Sequence, residues 1–246
     1  YSFFLLLFNI IFLISILPIG LLIGSLVSNL ILILISIFFI LDLATKKDWN
    51  YLNEINFYFL IFINLYLIFN SILISENENS IVKSFGFIRY ILLAYAISYY
   101  FNNFHKIIIK IWFIFFLIVC VDLVFEFLVG KNILGYESLY PGRLVGFTST
   151  EHKIGGFYFG FIFLALSFLI DKKNYIFYLF SIIFFIIAIL IGERSNFIKI
   201  FLMYLIFFIF FINISLFKKT LIISILFIFS FSIISQIPGL KSKFVR

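Results

Sequence analysis

The feature that most constrains the fold is a series of long apolar runs separated by short polar clusters. Hydrophobic residues fill 65% of the 246 positions, and charged residues fill 12%. A soluble domain is about 45–50% apolar and about 25% charged, so the composition indicates a chain solvated by lipid. A helix needs about 20 apolar residues to span the ~30 Å hydrocarbon core of a bilayer. The sequence therefore predicts an all-α fold, a polytopic bundle of transmembrane helices.

Cutting the chain at its polar clusters predicts about nine spans within one transmembrane domain covering residues 1–246. The first two spans are separated at Leu17-Pro18-Ile19-Gly20, because proline and glycine end one helix and turn the chain into the next. The predicted spans are approximately residues 2–16, 23–41, 56–74, 84–101, 107–129, 156–170, 175–191, 197–213 and 220–236. Because the chain starts with Tyr and ends without a helix stop, we expect it to be a C-terminally truncated fragment.

Pairs of lysines indicate the side of the membrane on which each connection lies. Four connections carry two lysines each and no arginine, at residues 42–54, 102–110, 171–174 and 213–219. Short loops with lysine pairs are typical of the cytoplasmic side. The opposite side then receives residues 75–83, the loop at 130–155, the break at Gly192 and the C-terminal tail.

Composition and residue spacing argue against several classes of function. The one cysteine, Cys120, lies inside an apolar run, so we expect no disulfide framework and no cysteine metal site. His105 and His152 are too far apart to form a His-x-x-x-His zinc site. The net charge of +7 is spread over the loops without a basic block, so no nucleic-acid partner is expected. We expect neither a metal nor a cofactor.

Two arginines lie in polar breaks between apolar runs. Arg143 follows the turn-forming pair Pro141-Gly142, and Arg194 lies within Gly192-Glu193-Arg194-Ser195-Asn196. Lysine is the usual basic residue of this chain. An arginine in such a chain indicates a need for a planar, permanently charged donor fork, which suits phosphate.

The segment around Arg143 has further features of an anion site. Gly146, Gly155 and Gly156 allow the backbone to approach a ligand or a neighbouring helix. Gly155 and Gly156 precede a span, and the N–H groups and dipole at a helix start favour an anion. Lys153 adds a positive charge. Each of these residues alone would be ordinary in a loop, but their concentration between two spans predicts a site.

Acid–base capacity is present in the same region. Glu151 and His152 lie in the loop, and Glu126 lies near the end of the preceding span. Carboxylates and histidine are the side chains that most often act as general bases. We therefore consider Glu151, His152 and Glu126 as candidate catalytic residues.

Charges within the predicted spans are costly and usually face the interior of a bundle. They are Arg89, Asp122, Glu126 and Lys199, and the predicted topology places all four in the outer half of the bilayer. Asp122 and Glu126 share one helix face, since they are four residues apart. Two interpretations stay open. The charges form buried ion pairs that fix helix packing, for example Arg89 with Glu126, or they line a polar vestibule that opens outward. In a vestibule that binds diphosphate, Arg143, Arg194 and at least one of Arg89 or Lys199 would point into open space. They would not be fully matched by Asp122, Glu126 and Glu151.

With these residues, the chain resembles the O-antigen ligase and O-antigen polymerase superfamily of bacterial envelope proteins. Arg143-Leu-Val-Gly146, followed by Glu151-His-Lys153-Ile-Gly155-Gly156, is similar to the family's Arg-x-x-Gly and Asp/Glu-x-Asn/Lys-x-x-Gly pattern. Gly192-Glu-Arg194-Ser is similar to its Thr/Ser-Gly-Ser-Arg element, from which Glu193 departs. Leu17-Pro18-Ile19-Gly20 through Ser28-Asn29 resembles its first helix pair.

The resemblance implies an inverting, metal-independent glycosyl transfer at the periplasmic face of the bacterial inner membrane. The donor would be an undecaprenyl-diphosphate-linked glycan, and the acceptor a lipid A-core sugar or another glycan. Cations would stabilise the charge that develops on the diphosphate; the candidates are Arg143, Arg194, Arg89, Lys153 and Lys199. The acceptor hydroxyl would need one of the candidate bases. The family's large periplasmic loop would begin within residues 237–246.

The alternative is a lipid-linked glycan flippase or another polytopic transporter. Charges in the spans would then line a pathway, and polar residues would be expected through both halves of the bilayer. The predicted spans carry their charges in the outer half, which favours the enzyme. A purely structural membrane subunit would leave the Arg143 break without a role.

Overall fold

The computed structural model describes residues 2–75, 78–151, 153–170 and 174–210, together with Ser224, Ile228 and Ser232. Every regular element in these residues is helical, so the all-α prediction is confirmed for this part of the chain. The α-helices are α1 (Ser2–Ile23), α2 (Ser25–Lys46), α3 (Ile55–Asn70), α4 (Glu78–Gly86), α5 (Ile88–Val129), α6 (Ile154–Ile170), α7 (Asn174–Leu190) and α8 (Arg194–Phe210). Short 3-10 helices cover Trp49–Leu52 and Gly146–Glu151, and a π-helical turn covers Ser71–Ser75.

Three helical stretches are long and apolar enough to cross a membrane. They are Ser25–Lys46, Ile55–Ile74 and Glu78–Val129, the last of which contains α4 and α5. Shorter apolar helices cover Phe8–Ile23, Ile154–Ile170 and Tyr175–Leu190. Membrane association is thus possible for this chain, while the count of nine spans and the multi-pass insertion stay predictions. Most of the predicted span 220–236 and all of residues 237–246 lie outside the described residues.

The first two helices do not separate at Pro18, so that part of the prediction is wrong. α1 continues through Pro18 to Ile23, and Gly24 separates it from α2. The φ angle of Gly24 is 145°, which a residue with a side chain rarely adopts. Gly20 serves packing instead of the turn, because a Cβ there would lie 2.5 Å from Cδ1 of Ile31 on α2.

The connection predicted at residues 102–110 is also wrong, because α5 runs unbroken through it. Asn102, Asn103 and Lys106 are exposed, whereas Ile108 is buried, as on an amphipathic helix. No glycine or proline interrupts the stretch, and a polar cluster by itself does not end a helix. One of the four lysine-bearing connections is therefore helical, so the lysine pairs no longer place residues 75–83 and 130–155 on the same side of a membrane.

Contacts divide the chain into two compact units, Tyr1–Ile108 and Ile109–Arg246. In the first unit α1 packs on α2, and α3 packs on α4. The fully buried carboxylate of Asp42 accepts hydrogen bonds from Nζ of Lys46 at 2.7 Å and from the hydroxyl of Tyr100 at 2.5 Å. These bonds hold the end of α2, which extends beyond its predicted end at residue 41.

The second unit is organised around α6, which packs on α7 and α8. The buried residues of α6 recur every three or four positions, as expected for one apolar helix face. The hydroxyl of Tyr158 donates to the carbonyl of Phe184 at 2.8 Å, and that of Tyr204 donates to the carbonyl of Ser181 at 3.0 Å. This packing holds α6 and α8 against α7, and the starts of α6 and α8 carry the polar residues considered next.

Candidate anion-binding site

Two buried carboxylates at the end of α5 bind the backbone of the loop that follows. Oε1 of Glu126 accepts the N–H of Val145 at 2.9 Å, and Oε2 accepts the N–H of Gly146 at 2.7 Å. Oδ1 of Asp122 accepts the N–H of Ile133 at 2.8 Å. Asp122 is 0% exposed and Glu126 2%. Asp122 and Glu126 therefore anchor the loop through its backbone. This role differs from both the ion pairs and the vestibule lining considered from the sequence.

The side chain of Asn132 cross-links the backbone of the same loop by two hydrogen bonds. Its side-chain amide donates to the carbonyl of Gly146 at 2.6 Å, and its oxygen accepts the N–H of Tyr136 at 2.7 Å. Gly146 has a φ of 51°, and a Cβ there would lie 3.1 Å from the side chain of Ile154. The close approach predicted for Gly146 is thus observed, with protein groups as its partners.

A tight turn presents Arg143. The N–H of Arg143 donates to the carbonyl of Tyr140 at 3.2 Å, and Gly142 has a φ of 73°. Proline followed by a glycine of positive φ is the pattern of a type II turn, so the turn predicted at Pro141-Gly142 is confirmed.

The two arginine-bearing breaks lie side by side. The N–H of Leu144 donates to the carbonyl of Ile191 at 3.1 Å. Gly192 has a φ of 73°, and a Cβ there would overlap the carbonyl oxygen of Gly142. Only glycine combines this backbone conformation with so close a crossing. The crossing places Arg143 next to the start of α8, where Arg194 lies.

Glu193 links the two breaks through its side chain. Its Oε1 forms an ion pair with Nη2 of Arg143, and its Oε2 accepts a hydrogen bond from the side-chain amide of Asn196. The carboxylate also lies against the start of α6, because a Cβ on Gly155 would overlap it. The start of α6, which the sequence predicts to bind an anion, therefore lies beside the carboxylate of Glu193.

An open depression of about 400 Å³ lies at this crossing. It is lined by Arg143, Gly192, Glu193, Arg194, Ser195 and Asn196. Partial burial lowers the pKa of the Arg143 guanidinium from its ordinary value, but arginine stays charged in proteins. The depression thus combines two cations with one carboxylate, a hydroxyl and an amide, which is a set able to bind an anionic group and the hydroxyls of a sugar.

The other predicted cations lie elsewhere. Lys199 is exposed, and its Nζ lies 5.8 Å from the ring centre of Phe159. Lys153 is exposed just before α6. Arg89 belongs to the first unit, where its guanidinium lies 5.0 Å from the ring centre of Tyr90. Neither Lys199 nor Lys153 lines the depression, and the proposed contacts of all three cations with diphosphate stay predictions.

The candidate bases are only partly described. Glu151 ends the 3-10 helix Gly146–Glu151, and His152 lies outside the described residues. Gly156 is exposed in the first turn of α6, with open space where a side chain would be. Among the described residues, no group of three or more His, Cys, Asp or Glu side chains is placed to hold a metal ion.

Three polar residues of this region are not predicted by the sequence patterns. Glu193 enters the sequence patterns only as a departure from a motif, although a carboxylate in one polar break is a candidate partner for the arginine of the other. Asn196 follows three residues later, which is the spacing of side-chain contacts in the first turn of a helix. Asn132 lies between Gly130 and Gly135, where asparagine commonly organises a turn.

Comparison with known proteins identifies no relative of this chain. No family model, no curated protein and no solved structure matches it. The resemblance to O-antigen ligases and polymerases therefore rests on the motif residues alone.

Proposed function

We propose that the protein transfers a glycan from an undecaprenyl-diphosphate carrier at the periplasmic face of the bacterial inner membrane, in the manner of an O-antigen ligase or polymerase. One observation carries the proposal: Arg143 and Arg194, which are distant in sequence, line the same open depression. The polar breaks that carry Arg143 and Arg194, both of which the sequence predicts to bind phosphate, thus lie together. A diphosphate leaving group needs such donors, because negative charge develops on it as the glycosidic bond breaks.

The site supplies positioning and charge. Arg143 and Arg194 bind oxygens of the diphosphate, and Ser195 and Asn196 offer neutral donors to the same group or to a sugar hydroxyl. The start of α8 adds the positive end of a helix dipole. Arg143 lies on a loop whose backbone is bound by Glu126, so the cation is placed before the ligand arrives.

The base that accepts the proton of the acceptor hydroxyl belongs, in this proposal, to the segment between the loop and α6. Glu151 and His152 are its candidates there. Glu126 is better suited to positioning, since its carboxylate already accepts hydrogen bonds from Val145 and Gly146. The acceptor is a lipid A-core sugar or a second glycan.

The test is Arg143→Lys in the full-length protein, assayed for glycan transfer by complementation of a deletion strain. We expect activity to fall about tenfold or more, because a point charge does not replace a bidentate fork on a diphosphate. Membrane abundance is measured by blotting, and Lys131→Gln is the matched control. Lys131 is a cation of the same loop, exposed and paired with Glu137 at 2.6 Å, so its loss should leave transfer unchanged.

Full transfer activity of Arg143→Lys would falsify the phosphate role of Arg143.

A second assay distinguishes an enzyme from a flippase. The purified full-length protein in proteoliposomes should form a transferred glycan from lipid-linked donor and acceptor. Transbilayer movement of the donor with no transferred product would support the transporter instead.

A further inference from the structure

We propose that Glu193 is a built-in competitor of the anion site, whose carboxylate occupies the position beside Arg143 that an oxygen of the anionic ligand takes on binding. This inference rests on the proposed function, since both concern the same depression. It adds a regulatory step to that function: the ligand must displace an internal carboxylate before it reaches the guanidinium.

The contacts of Glu193 are those expected of a bound anion. Oε1 pairs with Nη2 of Arg143, and Oε2 accepts the amide of Asn196. The carboxylate also lies against Gly155 in the first turn of α6. A guanidinium, an amide donor and a helix start are the groups that bind phosphate oxygens in proteins, and carboxylate oxygens use the same fork geometry.

The carboxylate of Glu193 lowers the affinity of the site for a ligand anion. Two negative groups at one cation repel, so the charged forms of both cannot share it without a loss of affinity. Glu193 has room to leave, because its flexible side chain borders the open depression of about 400 Å³. Its backbone stays in place, since the carbonyl of Glu193 accepts the N–H of Phe197 at 2.9 Å in the first turn of α8.

The chain contains a matched pair for comparison. Glu137 is bound to Lys131 in the preceding loop, and both side chains are more than half exposed. In the Arg143–Glu193 pair, the Glu193 side chain is only 8% exposed. Removing the negative charge of Glu137 therefore changes the net charge equally without opening the depression.

The experiment measures binding to the purified full-length protein in detergent, with inorganic pyrophosphate and a polyprenyl diphosphate as probes. Glu193→Gln preserves side-chain shape and removes the charge. If the carboxylate occupies the site about 90% of the time, its removal tightens the Kd about tenfold. We expect this tightening for Glu193→Gln and no change for Glu137→Gln. An equal gain for both probes identifies the diphosphate group as the ligand, and a gain for the polyprenyl probe alone identifies the lipid-linked form.

A second measurement uses the wild-type protein, in case Glu193→Gln folds poorly. The infrared difference spectrum on adding pyrophosphate should contain carboxylate bands from the released Glu193, which persist in Glu137→Gln. An unchanged or weaker Kd in Glu193→Gln, or a wild-type difference spectrum without carboxylate bands, overturns the competitor role. Failure of the proposed function looks different: Arg143→Gln would then bind both probes as tightly as the wild type.

Discussion

Glu126 is the residue on which the geometry of the Arg143 loop depends. Its carboxylate binds two consecutive backbone N–H groups, and the chain crosses Gly192 just before them. A buried N–H group that loses its acceptor costs about 1–3 kcal/mol. The position of Arg143 is therefore set by a side chain seventeen residues earlier in the chain, which no local pattern around Arg143 reveals.

We expect Glu126→Ala to lower the free energy of unfolding by about 3 kcal/mol, since it leaves two buried N–H groups without acceptors. Glu126→Gln should cost less, because the amide oxygen still accepts. The measurement is unfolding of the purified protein in a detergent titration. Val124→Ala, at an exposed position of the same helix, is the control. Equal stability of Glu126→Ala and the wild type would show that the loop does not depend on this carboxylate.

Gly192→Ala should cost about 2 kcal/mol or more, because the new Cβ meets the carbonyl of Gly142 at a backbone angle that alanine rarely adopts. Transfer activity should fall with it, since the crossing positions Arg143. Gly160→Ala is the matched control: it is helical, exposed and has open space around its Cα, so alanine should be neutral or stabilising. Thermal unfolding compares the two variants, and a similar melting temperature for both would contradict the strain argument.

At the scale of elements, sequence patterns placed the starts of α6 and α8 and the end of α7 within three residues of their observed positions. Lys153 precedes α6, and Gly192 and Glu193 separate α7 from α8, so polar residues or glycine break the apolar period at these positions. α5 is different, because the polar stretch around Asn102 and Lys106 keeps a helix-compatible composition. The polar residues of this stretch are exposed, but they do not mark the end of a helix.

The continuity of α5 predicts slow hydrogen exchange at residues 102–106. Amides inside a helix are protected by their hydrogen bonds, whereas loop amides exchange quickly. We expect protection at Asn102–His105 similar to that at Ser98, and fast exchange at Leu134 and Leu139 in the exposed loop. Exchange at Asn103 as fast as at Leu134 would restore the connection predicted from the sequence.

At the scale of the whole molecule, the predicted membrane topology decides on which side of the membrane the depression lies. Reporter fusions at Glu137 and Asn174 should lie on opposite sides because the apolar helix α6 separates them, and the proposed function requires Glu137 on the periplasmic side. In the first unit, fusions at Lys47 and Asn79 should also differ, since the apolar stretch Ile55–Ile74 lies between them. The same side for Glu137 and Asn174 would remove the periplasmic placement of the site.

The sequence by itself determined the helical class, the two arginine-bearing breaks and the turn at Pro141-Gly142, because these follow from apolar length and from the backbone limits of proline and glycine. Tertiary structure decided that the breaks cross at Gly192, that Glu126 binds the loop, and that Glu193 pairs with Arg143. Each of these contacts joins side chains or backbone from segments far apart in the chain. Their formation depends on how α6 and α8 pack, which local composition does not encode.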